Sequence, residues 1–169
     1  IVYLPRERYY DSYSGQEECR ATGAYGLLDR SDLTTKKHPN GSGTDTDARI
    51  RPPGYEEIRA NGGDPHNGHL IPKAGGGSGT DLRNLVPEYA KVNTPYLNYG
   101  VEKEIRKALE AGKHVYLSVI PHYERPDSGV PDAIEYRYRI PEDSLDRFCV
   151  IFQHPSSPRT VGSVGCPRT

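Results

Sequence analysis

The chain has 169 residues, of which 34% are hydrophobic, and it contains 18 glycines and 15 prolines. This length fits one domain with a real core rather than two, and the low apolar share predicts long loops around a modest sheet. The 22 basic and 23 acidic residues give a net charge of −1, which excludes a general attraction to polyanions and leaves only a local basic patch for that role.

The sequence also bears on membrane spans, on processing of the chain and on disulfides. No run of about 18 apolar residues is present, so no membrane-spanning helix is expected. No signal peptide is visible and the chain begins at Ile1, which predicts a processed product or a piece of a longer protein. Cys19, Cys149 and Cys166 allow at most one disulfide within the chain. A Cys149–Cys166 bridge that tethers the tail and a set of unpaired thiols fit the sequence equally well.

The first part of the chain shows little regular pattern. Residues 1–62 lack sustained periodicity except for a short strand expected over 25–29, and residues 36–47 consist of turn-forming residues that predict an exposed loop. Two short apolar segments, 69–72 and 83–88, flank the sequence GGGSG. They predict a β-hairpin with a long, glycine-rich connection. GGGSG is therefore expected to lie inside one hairpin rather than between two domains.

The clearest helix follows this hairpin. Its apolar residues recur at i, i+4, i+7 and i+8, at Val101, Ile105, Ala108 and Leu109. Thr94 is the predicted N-cap, with Pro95 at the first helical position and Gly112 as the C-terminal stop. Gly100 weakens the first half, so the ordered helix is expected to begin near Tyr99.

Three strands are predicted after the helix, over residues 114–123, 133–140 and 147–153. In the second of them, one face should carry Ile134, Tyr136, Tyr138 and Ile140. Residues 155–169 are expected to form an irregular tail. The predicted class is α+β, with a mainly antiparallel sheet and long loops. We expect a single domain over residues 1–169, with a core at about 60–153 and an irregular N-terminal region.

Three polar residues are not explained by this periodicity. His69, Asn84 and Asn93 each lie at the margin of an apolar segment, where Val or Ser would be more usual. On a strand–loop–strand–helix frame, His69 and Asn93 would converge from opposite sides of one groove. Taken alone, Asn84 reads as a turn residue and Asn93 as a helix-start residue.

The stretch NGHLIPKAGGGSGTDLRNLVPEYAKVN, together with the acidic helix after it, resembles the DNA/RNA non-specific endonuclease family and its ββα-metal (His-Me finger) core. The resemblance is to the branch of bacterial secreted nucleases and toxin domains, and it covers about residues 60–140. The family pattern has an Asp-Arg-Gly-His box, an Asn-Leu-Val/Ser-Pro segment, an Asn nine positions on and a Glu in the helix. Its counterparts here are His69, Asn84–Pro87, Asn93 and Glu102.

The chain departs from the family pattern in two places. The box arginine is replaced by Asn67, so Lys73, Arg83 or one of Arg49, Arg51 and Arg59 would have to supply the phosphate-facing charge. Glu102 lies one position later than the commonest spacing, and Gly100 would absorb the extra residue. Glu102 also has a simpler interpretation, as an exposed helix ion pair with Arg106.

The resemblance implies a role for each matched residue. His69 would act as a neutral general base, and Asn93 as the protein ligand of Mg²⁺, with Mn²⁺ as a substitute. Glu102 would hold the metal's water shell, and Asn84, placed among the catalytic-site residues, would orient the His69 strand. The substrate-binding residues would be Asn67, Lys73 and Arg83. The glycines would let a nucleic-acid backbone approach closely.

The resulting hypothesis is an Mg²⁺-dependent endonuclease that hydrolyses DNA, with RNA as an open second substrate. Its implied setting is a secreted or delivered antibacterial toxin domain whose partner is a cognate immunity protein, with no membrane association. The alternative is a nucleic-acid-binding module of the same fold that cleaves weakly because Asn67 replaces the arginine. A structural zinc domain is a third hypothesis, which the spacing of the cysteines and histidines does not favour.

Overall fold

The computed structural model describes residues 1–94, 100–154, 158–162 and 166. The strands in chain order are β1 (Val2–Tyr3), β2 (Glu7–Asp11), β3 (Gln16–Arg20), β4 (Ala24–Leu28), β5 (Pro65–His69), β6 (Leu85–Tyr89), β7 (Val115–His122), β8 (Ala133–Ile140), β9 (Leu145–Phe152) and β10 (Arg159–Gly162). One sheet has the order β1-β4-β7-β8-β9-β10, and β2–β3 and β5–β6 form two smaller sheets. All of these pairs are antiparallel, which confirms the predicted fold class.

The described part of the chain contains fewer helices than strands. They are α1 (Tyr55–Ala60), α2 (Ala90–Val92) and α3 (Glu102–Glu110), with single 3₁₀ turns at Lys73–Gly75 and Pro141–Asp143. Within the described ranges, no helix has the length and apolar character needed to cross a membrane.

The strands with regular alternation lie where they were predicted. β7, β8 and β9 match the three segments after the helix to within two residues, and β4 matches the strand expected near residue 25. In β8 the predicted face is buried, at Ile134, Tyr136, Tyr138 and Ile140, whereas Arg137 and Arg139 between them are exposed. The alternation succeeds because one face of this sheet packs on the core and the other faces solvent.

Both ends of the chain are more regular than predicted. The N-terminal region contains β1 to β4, and β4 pairs along its whole length with β7 of the main sheet. These strands have five residues or fewer, which is too short for periodicity to show in the sequence. The tail adds β10 to the sheet edge, and a Cys149–Cys166 disulfide ties it to β9, while Cys19 is a free thiol.

The start of the predicted helix is wrong. Helical backbone begins at Ala90, and Asn93 and Thr94 are already in a π-helical turn, so Thr94 is not an N-cap. Pro95 and Tyr99 lie outside the described residues. Gly100 and Val101 are also π-helical before α3 begins, and a π turn holds one more residue than an α turn.

Helix α3 is held against the sheet by its apolar face. Ile105, Ala108 and Leu109 are buried, and they belong to a hydrophobic cluster that runs from Ala21 to Cys166. Burial of each large side chain contributes about 1.5–3 kcal/mol. The helix ends at Glu110 before Gly112, as predicted. This packing sets α3 beside the connection that follows β5.

Candidate active site

The β5–β6 hairpin carries the first site residue. His69 is the last residue of β5 and lies opposite Leu85, while Asn67 lies opposite Pro87. The hairpin was predicted, but its first strand ends at His69 instead of beginning there. Leu70 and Ile71 are fully buried without being strand residues, so their apolar character had suggested the wrong strand boundary.

Asn84 braces the long connection between the two strands. Its side chain is fully buried, its Oδ1 accepts from the Ile71 N–H at 2.8 Å, and its Nδ2 donates to the carbonyls of Ile71 and Ser78 at 3.1 and 2.9 Å. A side chain without exposed surface does not reach a substrate. Asn84 therefore holds the backbone of the connection that follows His69, and its contribution to catalysis through that bracing stays a prediction.

The glycine-rich stretch also has a different role from the expected one. Gly75, Gly76, Gly77 and Gly79 are all buried. A Cβ built on Gly77 would lie 1.7 Å from the Ile71 carbonyl oxygen, so only glycine fits there. Gly77 and Gly79 pack against backbone atoms of Ile71 and Asp45, and Gly75 and Gly76 against side chains. Because all four are buried, the expectation that they admit a nucleic-acid backbone is wrong.

The loop over residues 36–47 supplies a residue that sequence reasoning missed. The Thr44 carbonyl lies 3.1 Å from His69 Nε2. Thr44 is itself fixed, since its N–H donates to the Gly77 carbonyl at 3.1 Å and its Oγ1 accepts from the Gly79 N–H at 2.8 Å. Because the contact is tertiary and uses a backbone atom, no signal in the sequence indicates it.

This contact determines the state of the imidazole. A carbonyl oxygen only accepts, so His69 Nε2 carries the proton and Nδ1 keeps a lone pair in the neutral ring. Burial lowers the pKa of His69, although the Thr44 carbonyl and the Asp45 carboxylate oppose that effect and Lys73 adds to it. His69 is therefore neutral at neutral pH, as a general base must be.

Two neighbouring cavities meet at the hairpin and have volumes of about 430 and 320 Å³. Both are lined by Asp45, His69 and Asn93, so the two candidate residues share one space as predicted. The larger cavity also has Asn67 in its wall, and the smaller one has Glu102. Since three residues are common to both, the cavities form the two ends of one groove.

Asn67 lies where the family places an arginine. Its Nδ2 donates to the Ile50 carbonyl at 2.7 Å, and its Oδ1 has no hydrogen-bond partner within the part of the chain that the structure describes. Half of the amide thus holds a loop in place. The described lining of the larger cavity contains no lysine or arginine, so the missing positive charge is not replaced there.

The cations of the groove lie at its smaller end. Lys73 and Arg106 line that cavity, and Lys73 Nζ pairs with Asp45 at 2.6 Å. Arg106 makes no hydrogen bond or ion pair with the described residues, so the expected ion pair with Glu102 is absent. Arg106 is the functional candidate that the sequence interpretation treated only as an ion-pair partner.

The other proposed cations do not reach the groove. Arg83 pairs with Asp81 at 2.6 Å and lines neither cavity, which argues against its assignment to substrate binding. The three arginines offered as replacements for the box residue also line neither cavity. Arg49 pairs with Asp47, and Arg51 and Arg59 both pair with Glu56.

The oxygen donors of the groove fit a hard, hydrated cation. Asn93 and Glu102 line the same cavity, and burial raises the pKa of Glu102 to about 7, against the opposing charge of Arg106. Among the described residues, no group of three or more His, Cys, Asp or Glu side chains is placed to hold a metal. Mg²⁺ commonly uses one or two protein oxygens and keeps several waters, whereas zinc needs a full set of nitrogen or sulfur ligands.

The fold and this groove define a nuclease, with a histidine of set tautomer at the end of a β-hairpin and an asparagine and a glutamate from the helical segment after it. The sequence profile of the DNA/RNA non-specific endonuclease family matches residues 5–142, and the chain belongs to that family. Among curated proteins, no sequence matches the chain significantly.

Two solved structures show the same fold. NucA from Streptococcus agalactiae with magnesium bound is 19% identical, with a TM-score of 0.62, over 96% of this chain and 82% of NucA. The metal-free form of NucA is 18% identical, with a TM-score of 0.57, over 96% of this chain and 80% of NucA.

Proposed function

We propose that this nuclease is an Mg²⁺-dependent endonuclease that hydrolyses phosphodiester bonds of DNA, and of RNA as a second substrate. One observation carries the proposal. His69, with Nε2 bound to the Thr44 carbonyl and Nδ1 left as a base, lines the same cavity as Asn93 and Glu102. The magnesium-bound NucA structure supports the choice of ion, and Mn²⁺ is proposed as its substitute.

The residues of the groove have different roles in the proposed reaction. His69 Nδ1 takes the proton of the attacking water, and general-base help of this kind contributes about 10²–10⁴ in rate. Asn93 and Glu102 would hold the cation, which would supply Lewis-acid stabilisation of charge on the phosphate, worth several kcal/mol. Lys73 and Arg106 offer further positive charge to the phosphate from the smaller cavity.

Substrate choice follows from what the groove presents. Contacts to phosphates carry no sequence information, so cleavage should show weak sequence preference. Because the net charge of the protein is −1, attraction to nucleic acid comes from the local cations and should weaken steeply with added salt.

The test is digestion of plasmid DNA and of RNA with Mg²⁺, with and without EDTA. We expect chelator-sensitive cleavage that His69→Ala lowers by about 10²–10⁴. His114→Ala is the matched control, because His114 is an exposed histidine that bonds to Glu142 away from the groove. Cleavage that survives EDTA, or equal activity of wild type and His69→Ala, would contradict the proposal. Retardation of DNA without cutting would favour the binding-module alternative.

For the biological setting we propose a secreted or delivered antibacterial toxin domain that is neutralised by a cognate immunity protein. The support is the resemblance to toxin domains of this family. Expression in a bacterial host should arrest growth, and His69→Ala should remove that effect. Growth arrest that is unchanged by His69→Ala would contradict a nuclease toxin.

A further inference from the structure

One face of the main sheet packs on α3, and the opposite face is exposed and apolar. Contiguous exposed apolar patches in globular proteins mark interaction sites. We call this surface the open face. It is defined by six large apolar side chains that are between 36% and 52% exposed: Val2, Tyr25, Leu27, Tyr116, Ile120 and Phe148.

The strand register shows that these side chains are neighbours. Directly opposed residues of antiparallel strands lie on the same face of a sheet. Leu27 is opposite Tyr116, which is in turn opposite Arg139. Val2 is opposite Tyr25, which lies two residues before Leu27 on β4 and therefore on the same face. The side chains form one continuous patch across β1, β4, β7 and β8, and they line a concave surface with a volume of about 710 Å³.

The open face also carries two charged side chains that the chain itself leaves unpaired. Arg139 of β8 and Asp146 of β9 are directly opposite each other, and both are exposed. Within the described residues neither forms an ion pair, whereas the neighbouring Arg137 is paired with Glu135 at 2.6 Å. A surface with an unpaired cation beside an unpaired anion is complementary to itself, because a second copy related by a two-fold axis presents the two charges in the reverse order.

This charge pattern favours a second copy of the chain over a nucleic acid as the partner. A surface that binds phosphates needs an excess of cations, and the exposed Asp146 carboxylate would repel the phosphates. Between two copies the same carboxylate is an attractive group, since it faces an arginine. The net charge of −1 also gives little long-range repulsion between copies.

The open face is large enough for such an interface. Its residues lie on five strands, β1, β4, β7, β8 and β9, and in three rows across them. With strands about 4.8 Å apart and same-face side chains about 6.8 Å apart along a strand, the patch covers about 500 Å² on each copy. Two such surfaces would bury about 1,000 Å², which is the lower limit for a specific protein–protein interface.

We propose that two copies of this chain associate through their open faces about a two-fold axis, with Arg139 of each copy paired with Asp146 of the other. The apolar side chains are buried between the copies and supply the driving force. The small area makes this a weak dimer, with a dissociation constant in the micromolar range. Among the described residues, those lining the open face and those lining the groove do not overlap, so both grooves stay accessible to substrate.

The test is sedimentation equilibrium of the whole chain in metal-free buffer, from low micromolar to several hundred micromolar protein. We expect a monomer–dimer equilibrium. Arg139→Asp and Asp146→Arg each place two pairs of like charges in the interface, and each should weaken association by about tenfold or more.

A mixture of the two charge variants distinguishes pairing between copies from pairing within one copy. In a mixed dimer, Arg139→Asp of one copy faces Asp146→Arg of the other, and both contacts again join opposite charges. The equimolar mixture should therefore associate as tightly as the wild type. Pairing within one copy could not be restored by mixing.

A further pair of variants tests the apolar part of the open face. Tyr116→Ala should weaken association by about tenfold or more, because buried tyrosines are frequent hot spots of interfaces. Tyr10→Ala is the matched control, since Tyr10 is 60% exposed but lies on β2 in a separate sheet. Both variants should keep the circular dichroism and the nuclease activity of the wild type.

Three results would overturn the proposal. The first is a wild type that stays monomeric at every concentration. The second is a dimer that Tyr116→Ala and the charge variants leave unchanged, because its interface would lie elsewhere. The third is a mixture of charge variants that associates no better than either variant alone.

The same variants identify the other partner that the open face could have. If the wild type is monomeric and Tyr116→Ala weakens its binding of a single-stranded oligonucleotide in EDTA, the open face is a nucleic-acid surface. None of these results changes the test of His69 in the groove, so dimerisation and the proposed function stand or fall separately.

Discussion

Glu135 in the main sheet and Glu88 in the hairpin are both buried glutamates, and their surroundings differ. Glu135 accepts from Arg137 Nε at 2.6 Å and contacts His122 Nε2 at 2.9 Å, so its charge is balanced by the protein. Neither Glu88 carboxylate oxygen has a hydrogen-bond partner within the described residues, and burial together with the Glu102 carboxylate raises the pKa of Glu88. The buried charge in the sheet is balanced by neighbouring side chains, whereas Glu88 forms no ion pair within the described part of the chain.

The same contrast appears in the backbone. The β7–β8–β9 part of the sheet pairs residue by residue without interruption. The site instead uses a long connection packed on glycines, a π-helical turn and a histidine bound to a loop carbonyl. Irregular backbone of this kind is usual where groups must be held for chemistry rather than for stability. The comparison predicts that changes in the sheet alter stability alone, and that changes in the hairpin alter function as well.

The largest effect is expected from Asn84→Ala, which should lower both the stability and the nuclease activity of the protein. The substitution removes the partner of two buried groups, the Ile71 N–H and the Ile71 carbonyl. Each unsatisfied group costs about 1–3 kcal/mol, so the free energy of unfolding should fall by about 2–6 kcal/mol. Nuclease activity measured well below the Tm should also fall, because the brace behind His69 is lost. Urea denaturation and a plasmid assay measure the two changes. Full activity in the folded variant would argue against the bracing role.

A comparable loss of stability without loss of function is expected from Ile134→Ala in the main sheet. Ile134 is fully buried, and such truncations cost about 2–5 kcal/mol. Activity per folded molecule at low temperature should match that of the wild type. A fall in activity similar to that of Asn84→Ala would remove the distinction between the two regions.

Reduction of the Cys149–Cys166 disulfide is the next smaller change. The bridge closes a segment of 17 residues, and opening a loop of this size lowers stability by about 3 kcal/mol. We expect the urea midpoint to fall in dithiothreitol while cleavage under native conditions persists. Cys19→Ser serves as the control, since Cys19 is a free thiol and this variant should show the same response to reduction.

Within the site, Arg106→Ala should lower kcat/KM by about tenfold or more, since a hydrogen bond to a charged group contributes about 1.5–3 kcal/mol. Arg83→Ala is the paired control because Arg83 is exposed, bonded to Asp81 and outside both cavities. The Tm of each variant should stay near that of the wild type. Equal activity of the two variants would show that Arg106 does not contact the substrate.

The smallest effect is a pH dependence in the sheet. Burial acts to raise the pKa of Glu135, but the bonds from Arg137 and His122 outweigh it and hold that pKa below its usual value of 4.5. A carboxyl with a lowered pKa contributes stability that is present above the unfolded-state pKa and is lost as the pH falls through the folded-state pKa. Glu135→Gln should therefore flatten the stability profile below about pH 4.5, as measured by urea titrations at several pH values. An unchanged acid limb would contradict this assignment.

The main sheet could be predicted from the sequence more completely than the hairpin and its groove. The alternation in β7, β8 and β9 and the apolar face of α3 were predicted correctly, because each is a repeat within one continuous segment. The hairpin was predicted as a unit, but its first strand was displaced because Leu70 and Ile71 are buried without pairing as strand residues. His69 and Asn93 were placed in one groove by the spacing of the family motif, and they share a cavity in the structure.

Other parts of the site had no local signal. Thr44 acts through its backbone carbonyl, which every residue has, and Arg106 reads as one of many helix-surface charges. Glu88 lies in the quoted motif, yet its burial against Gly68 depends on how two strands pair. Only the tertiary structure sorts the arginines into those that line the groove and those paired elsewhere.

The sequence by itself determined the fold class, the strand and helix repeats, and the histidine and asparagine that share one groove, because these depend on residue type and spacing along the chain. The tertiary structure decided the tautomer of His69, the burial of the glycines and the surroundings of Glu88. These depend on distances between segments that are far apart in the sequence, and on the loss of water when they pack together.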